Sequence, residues 1–158
     1  MFIPSFYAMK IRSLSYIIIL LLFVALYFLN RKQVELVAED NINLNRIGSS
    51  GYELRANIRL KNPNLLSSTI KSFHENIFVN GIEVGILDNE LNQGIPGLKE
   101  TAFPISVRFS KDEFAGAISA DSTKPASVHI KGEIVFQNLF GGGTIKVDTV
   151  VPGLWYIP

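Results

Sequence analysis

The sequence predicts an all-β fold, an antiparallel β-sandwich with one short helix, preceded by a single N-terminal transmembrane helix. Three observations lead there. Apolar and polar residues alternate through most of the chain after Gln33. Turn-forming residues recur about every 8–12 positions, the spacing of short strands in a sandwich. One uncharged apolar run, Leu14–Leu29, stands apart near the N-terminus.

That run reads LSYIIILLLFVALYFL, with 15 of 16 residues apolar. It accounts for the high apolar share of the chain, 47% hydrophobic against 18% charged, with a mean hydropathy of +0.25. Without it the rest is about 42% hydrophobic, ordinary for a globular domain. From Ser13 to Asn30 no charge is met over 18 residues, about 27 Å as a helix, just enough to cross a hydrocarbon core of about 30 Å. No small-x-small cleavage site follows, so an uncleaved signal anchor is expected rather than a removed signal peptide. Lys10 and Arg12 precede the run; Arg31 and Lys32 follow it, with Glu35, Glu39 and Asp40 close behind. The positive-inside bias then gives a cytoplasmic N-terminus and an extracytoplasmic C-terminal domain. The expected organisation is a tail over 1–13, an anchor over 14–30, a linker over 31–38 and a β-sandwich over 39–158.

Within the domain, Tyr52 to Lys61 alternates five apolar with five polar residues, the pattern of a strand with one face in a core and one in water. Ile42 and Leu44 alternate with Asn43 and Asn45 before it, and Gly48-Ser49-Ser50-Gly51 supplies the turn between them. Asn62-Pro63-Asn64 ends the strand. Pro63 has no N–H for a ladder, and Asn64 tolerates a positive φ. Asn76–Val79 and Ile82–Val84 flank Asn80-Gly81, the dipeptide suited to a type I′ hairpin turn.

Gly94-Ile95-Pro96-Gly97 breaks the chain again. A further strand places Thr101, Phe103, Ile105, Val107 and Phe109 on one face, and the outward Pro104 marks an edge or a bulge. Ser110-Lys111-Asp112-Glu113 is a capping box opening a short helix. Two last strands, about Ser127–Gln137 and Thr144–Val151, are expected to turn at Gly141-Gly142-Gly143. The apolar tail Pro152–Pro158 is expected to pack on its own domain.

Chemistry is sparse. There is no cysteine, which removes disulfides, thiolate metal sites and a thiol nucleophile. The net charge of +1, and −3 from Gln33 onward with 11 basic against 14 acidic residues, argues against nucleic-acid binding by bulk charge. His129 is expected in solvent, and His74 on the opposite strand face from Glu75. Asp88, Glu90, Asp112 and Glu113 read as solvated charges in a loop and a helix start. Gly141-Gly142-Gly143-Thr144 lacks a P-loop lysine and a following helix. No nucleophile–base–orienter set assembles, so no enzyme, no cofactor, no metal and no small-molecule substrate are expected.

Taken in order, Leu60-Lys61-Asn62-Pro63-Asn64, the apolar Ile70–Phe73, the Asn80-Gly81 turn with Gly85 beyond it, the strand with Pro104 and Val107, the short helix and the strand around Gly132 resemble a known family. Val34–Val151 is similar to the group-2 late embryogenesis abundant family, also called the water-stress and hypersensitive-response (WHy) domain. The resemblance implies a fibronectin-like sandwich, often behind one transmembrane helix, with links to desiccation and no catalytic residues. Its structural motif would comprise Asn62, Pro63, Asn64, Asn80, Gly81 and Gly132. The implied function is a membrane-tethered, non-enzymatic stress protein that protects or weakly binds envelope components. The alternative is an adaptor docking a protein partner in the envelope through an edge strand, near Pro104 or the C-terminal strand.

Overall fold

The computed structural model describes residues 6–48, 51–118 and 126–154, with side chains described for 16–48, 51–117 and 127–151. A helix, α1 (Phe6–Leu29), leads into seven strands: β1 (Glu35–Ile47), β2 (Gly51–Lys61), β3 (Ser68–Val79), β4 (Ile82–Ile95), β5 (Glu100–Ser110), β6 (Ala126–Asn138) and β7 (Gly141–Leu154), with α2 (Lys111–Ile118) between β5 and β6. The strands form two antiparallel sheets, one in the order β1-β2-β5 and the other β4-β3-β6-β7.

The inner faces of the two sheets bury one core. Strand β2 contributes Leu54, Ala56, Ile58 and Leu60, and β5 contributes Phe103, Ile105, Val107 and Phe109. These are the residues that alternation selects, because side chains two apart share a face. Facing them are Ile70, Phe73, Ile77 and Val79 of β3 with Val128, Ile130, Ile134 and Phe136 of β6. Phe73 meets Phe103 edge-on across the sheets, with ring centroids 6.2 Å apart. The three-residue step from Ile70 to Phe73 comes from a bulge: register shifts between Ile70 and Ser72 against both neighbouring strands. The extra residue restores the inward phase.

Pro104 is exposed on β5, which is an edge strand. The capping box closes reciprocally: the Ser110 N–H donates to Glu113 at 2.8 Å, and the Glu113 N–H donates to the Ser110 hydroxyl at 3.2 Å. Phe114 of α2 then packs on Tyr52, 4.2 Å between centroids.

Several expectations are corrected. Strand β1 begins at Glu35, inside the stretch read as linker. Asp88 and Glu90 lie in β4, not in a loop; as the outer row of an edge strand they stay solvated, with Asp88 opposite His74 at 3.6 Å. The last hairpin turns at Leu139-Phe140, before the glycines. The reason is Asn138, whose side-chain oxygen accepts the Phe140 N–H at 2.9 Å and makes the turn locally. Gly142 and Gly143 pair with Gln137 and Phe136 in the ladder, and they are glycine because a Cβ would lie 2.7 Å from the Phe136 carbonyl or 2.9 Å from its ring. Of the apolar tail, Trp155–Pro158 lie outside the described residues.

The largest correction concerns the membrane. Among the described residues, no helix is long and apolar enough to cross a membrane. The fold class loses its transmembrane helix. The signal anchor, the membrane contact through Leu14–Leu29, and the single-pass topology with an extracytoplasmic domain all rested on it and fall with it. The last turns of α1 instead meet the β6–β7 hairpin, where Phe140 packs edge-on against Phe23 at 6.1 Å and Tyr27 at 5.8 Å.

Candidate functional site

The most densely connected polar cluster is built from asparagines at the junction of α1 and the sandwich. Asn62 follows the last residue of β2 and is wholly buried. Its amide donates to the carbonyls of Leu66 at 2.9 Å and Ile95 at 3.1 Å, while its oxygen accepts the N–H of Asn64 at 3.0 Å and the Asn64 side-chain amide at 2.9 Å. Pro63 between them carries no N–H, so nothing competes for that oxygen. Asn64, also fully buried, reaches Lys32: the Lys32 N–H donates to its oxygen at 2.8 Å, and its amide donates to the Lys32 carbonyl at 2.8 Å.

Asn30 ties in the helix. Its amide donates to the Leu26 carbonyl at 2.7 Å, capping α1, and its oxygen accepts the Leu66 N–H at 2.6 Å. Its own carbonyl receives the Asn138 amide at 3.3 Å. Four side-chain amides therefore satisfy backbone groups that irregular chain would otherwise leave unpaired, which burial makes costly. Among them, the motif expected from sequence supplied Asn62 and Asn64. It missed Asn30 and Asn138, whose partners lie far off in sequence.

The other expected motif residues sit elsewhere. Asn80 and Gly81 make the β3–β4 turn with φ of +49° and +85°, as a type I′ turn requires. The Asn80 amide also donates to the Ala117 carbonyl at 3.1 Å, and its oxygen accepts the Ser127 N–H at 3.0 Å, joining the end of α2 to β6. Gly132 lies mid-sheet opposite Glu75. A Cβ there would stand 2.1 Å from the His74 carbonyl oxygen and 2.5 Å from the Glu75 Cα, so only glycine fits.

Glu75 itself is the feature that sequence reading overlooked. It points into the core from the middle of β3, is fully buried, and neither carboxyl oxygen has a hydrogen-bond partner. Burial pushes its pKa up to about 8, with the charge of Glu39 adding to the rise. Glu39 pairs with Ile58 and so faces the same interior. Burial raises its pKa as well; Thr149 is near enough to offset part of this but not to complete a hydrogen bond.

On the outer face of the three-stranded sheet, Glu53 is covered by the guanidiniums of Arg55 and Arg108 rather than by apolar core. The Ser106 hydroxyl at 2.8 Å holds its carboxyl below the usual range, helped by both arginines. His129 points out from β6 as expected and lies 2.6 Å from Asp148 of β7, where it lowers the Asp148 pKa. Glu53–Arg108 and His129–Asp148 pair across neighbouring strands, while Glu53–Arg55 lies within β2; the partners Arg55, Arg108 and Asp148 are largely exposed, so each pair has small energetic weight. Among the described residues no group of His, Asp and Glu could hold a metal ion.

Comparison with known proteins gives the same picture from another side. Solved structures share the fold at low identity: a solution structure from Arabidopsis thaliana is 14% identical with a TM-score of 0.64, covering 76% of this chain and 82% of that one. A crystal structure from Archaeoglobus fulgidus is 12% identical with a TM-score of 0.56, covering 75% of this chain and 97% of that one. No curated protein matches the sequence. The family model described as late embryogenesis abundant protein matches residues 57–151, from the middle of β2 into β7. That span takes in the asparagine turn, the β3–β4 and β6–β7 hairpins and Gly132, and the chain belongs to the late embryogenesis abundant protein family.

Proposed function

We propose that the chain acts as a folded, non-enzymatic stress protein of the group-2, water-stress and hypersensitive-response type, shielding neighbouring proteins as water is withdrawn. The observation that carries this reading is the family match over residues 57–151, a span folded here into two sheets around a single apolar core. A chain that buries such a core keeps its shape without a partner, unlike the disordered, highly charged chains that stay unfolded in water. Its outer strand faces carry paired charges such as Glu53 with Arg55 and Arg108. The subtype rests on Asn62-Pro63-Asn64, Asn80-Gly81 and Gly132.

Drying tests the proposal. A desiccation-sensitive enzyme is dried and rehydrated with the purified full-length chain, with an equal mass of an unrelated globular protein, or with the core variant Phe73→Ala. Greater recovery of enzyme activity with the native chain than with either comparison supports a protective role of the folded sandwich. Recovery no better than with the unrelated protein sinks it.

A further inference from the structure

An open cavity of about 380 Å³ lies beside the asparagine junction, between the segment Arg31-Lys32-Gln33 and the β6–β7 hairpin. The segment is held on both sides. Asn64 grips the Lys32 backbone, and the Gln33 side-chain amide donates to the Thr144 carbonyl at 2.9 Å. Two exposed cations, Arg31 and Lys32, therefore stand at a fixed place on the cavity wall. No acid lines the cavity, and neither cation has an ion-pair partner among the described residues. The Arg31 guanidinium lies over the Phe28 ring at 4.8 Å. A guanidinium held over a ring in this way keeps N–H donors for an anion.

The remaining walls are of a different kind. Tyr27, Phe136 and Phe140 contribute aromatic surface, and Gly141–Gly143 contribute bare backbone. The close approach of Phe136 excludes side chains at Gly142 and Gly143, so this wall stays bare backbone. Two unpaired cations at one side match a phosphoryl dianion, which Arg and Lys bind through charge-assisted hydrogen bonds. The cavity has the size of a small-molecule pocket, roughly 300–1,000 Å³. A bare phosphate would leave the aromatic side unfilled.

We propose that this cavity binds a small organic phosphate, the phosphoryl group held by Arg31 and Lys32 and the ester group resting on Tyr27, Phe136 and Phe140. The same chemistry is offered by a nucleoside monophosphate and by a glycerol phosphate of the kind found in lipid headgroups.

Titration calorimetry on the purified full-length chain tests this with adenosine monophosphate, glycerol phosphate, inorganic phosphate and uncharged adenosine as probes. One or both esters should bind at millimolar concentration or below, more tightly than inorganic phosphate, with adenosine silent. A preference for adenosine monophosphate identifies a stacked base as the ester group; a preference for glycerol phosphate identifies the headgroup type. The double variant Arg31→Gln, Lys32→Gln should weaken ester binding about tenfold or more. Lys111→Gln, an exposed cation on α2 away from the cavity, should leave it unchanged. Circular dichroism of each variant establishes that the fold is kept. No ester binding, equal binding of adenosine, inorganic phosphate matching both esters, or full binding by the double variant would each overturn the proposal.

Discussion

Lys32 and Asn64 exchange two hydrogen bonds, Lys32 N–H to the Asn64 oxygen and the Asn64 amide to the Lys32 carbonyl, both at 2.8 Å. A side-chain amide mimics a strand neighbour here. It pairs with the backbone of the chain leaving α1 at the one place where β2 has ended and cannot. Asn62 braces Asn64 from behind, and Asn30 ties the helix end to Leu66. The Asn-Pro-Asn turn thus points its amides into the molecule, and neither is free to meet a partner.

Replacing Asn62 should be severe. Asn62→Ala removes two donors and one acceptor from a buried site and strands the Ile95 carbonyl, costing roughly 3–4 kcal/mol. Asn62→Asp keeps the shape but puts an acceptor where two donors are needed, and should be at least as damaging at neutral pH. Urea unfolding of both variants checks this; a loss below about 1 kcal/mol for both would contradict it.

Glu75 makes stability depend on pH. Its folded pKa of about 8 stands above the ordinary value of 4.5, so the folded state holds the proton more tightly. The stabilising effect is complete below about pH 4.5 and is lost as pH rises towards 8. At pH 7 the deficit is roughly 3 kcal/mol, at 1.36 kcal/mol per pKa unit. Glu75→Gln keeps the shape without the ionisation. It should match the native chain near pH 4, exceed it at pH 7 to 8, and flatten the slope between. Equal slopes in native and variant chains, read from thermal unfolding across that range, would exclude a buried ionisable Glu75.

Gly132 should accept no side chain. Gly132→Ala sets a Cβ against the His74 carbonyl and the Glu75 backbone, in the centre of the four-stranded sheet where neither strand can move apart without losing its ladder. A loss of roughly 3 kcal/mol or more is expected. Gly116→Ala, with open space around it, is the control and should be neutral or slightly stabilising within α2. Similar melting temperatures for the two variants would refute the close approach.

Much of the fold was legible because its signals are local. Alternation from Tyr52 to Leu60 and from Phe103 to Phe109 selects the core residues whatever the partner strand is. Asn80-Gly81 and Ser110–Glu113 encode their turn and cap within four residues. What escaped depends on distant partners or on broken phase. The bulge at Lys71 lets Ile70 and Phe73 share a face, which strict alternation forbids. Glu75 was passed over because nothing nearby in sequence reveals that Gly132, 57 positions on, lies against its backbone. Gly141–Gly143 reads as a turn because glycine usually marks one, whereas here Gly142 and Gly143 answer to Phe136. The asparagine junction was half visible: Asn62-Pro63-Asn64 stood out as a strand stop, but the purpose of its amides depends on Lys32 and Ile95.

Hydrogen exchange at two backbone amides tests the central relationship most directly. The N–H groups of Lys32 and Leu66 lie outside any strand, yet donate to Asn64 and Asn30. Both should exchange slowly in the native chain, and Asn64→Ala should release Lys32 to rapid exchange while amides in the centre of β2 and β3 stay protected. Rapid exchange of Lys32 in the native chain, or protection that survives the loss of Asn64, would contradict the asparagine turn as the clasp joining α1 to the sandwich.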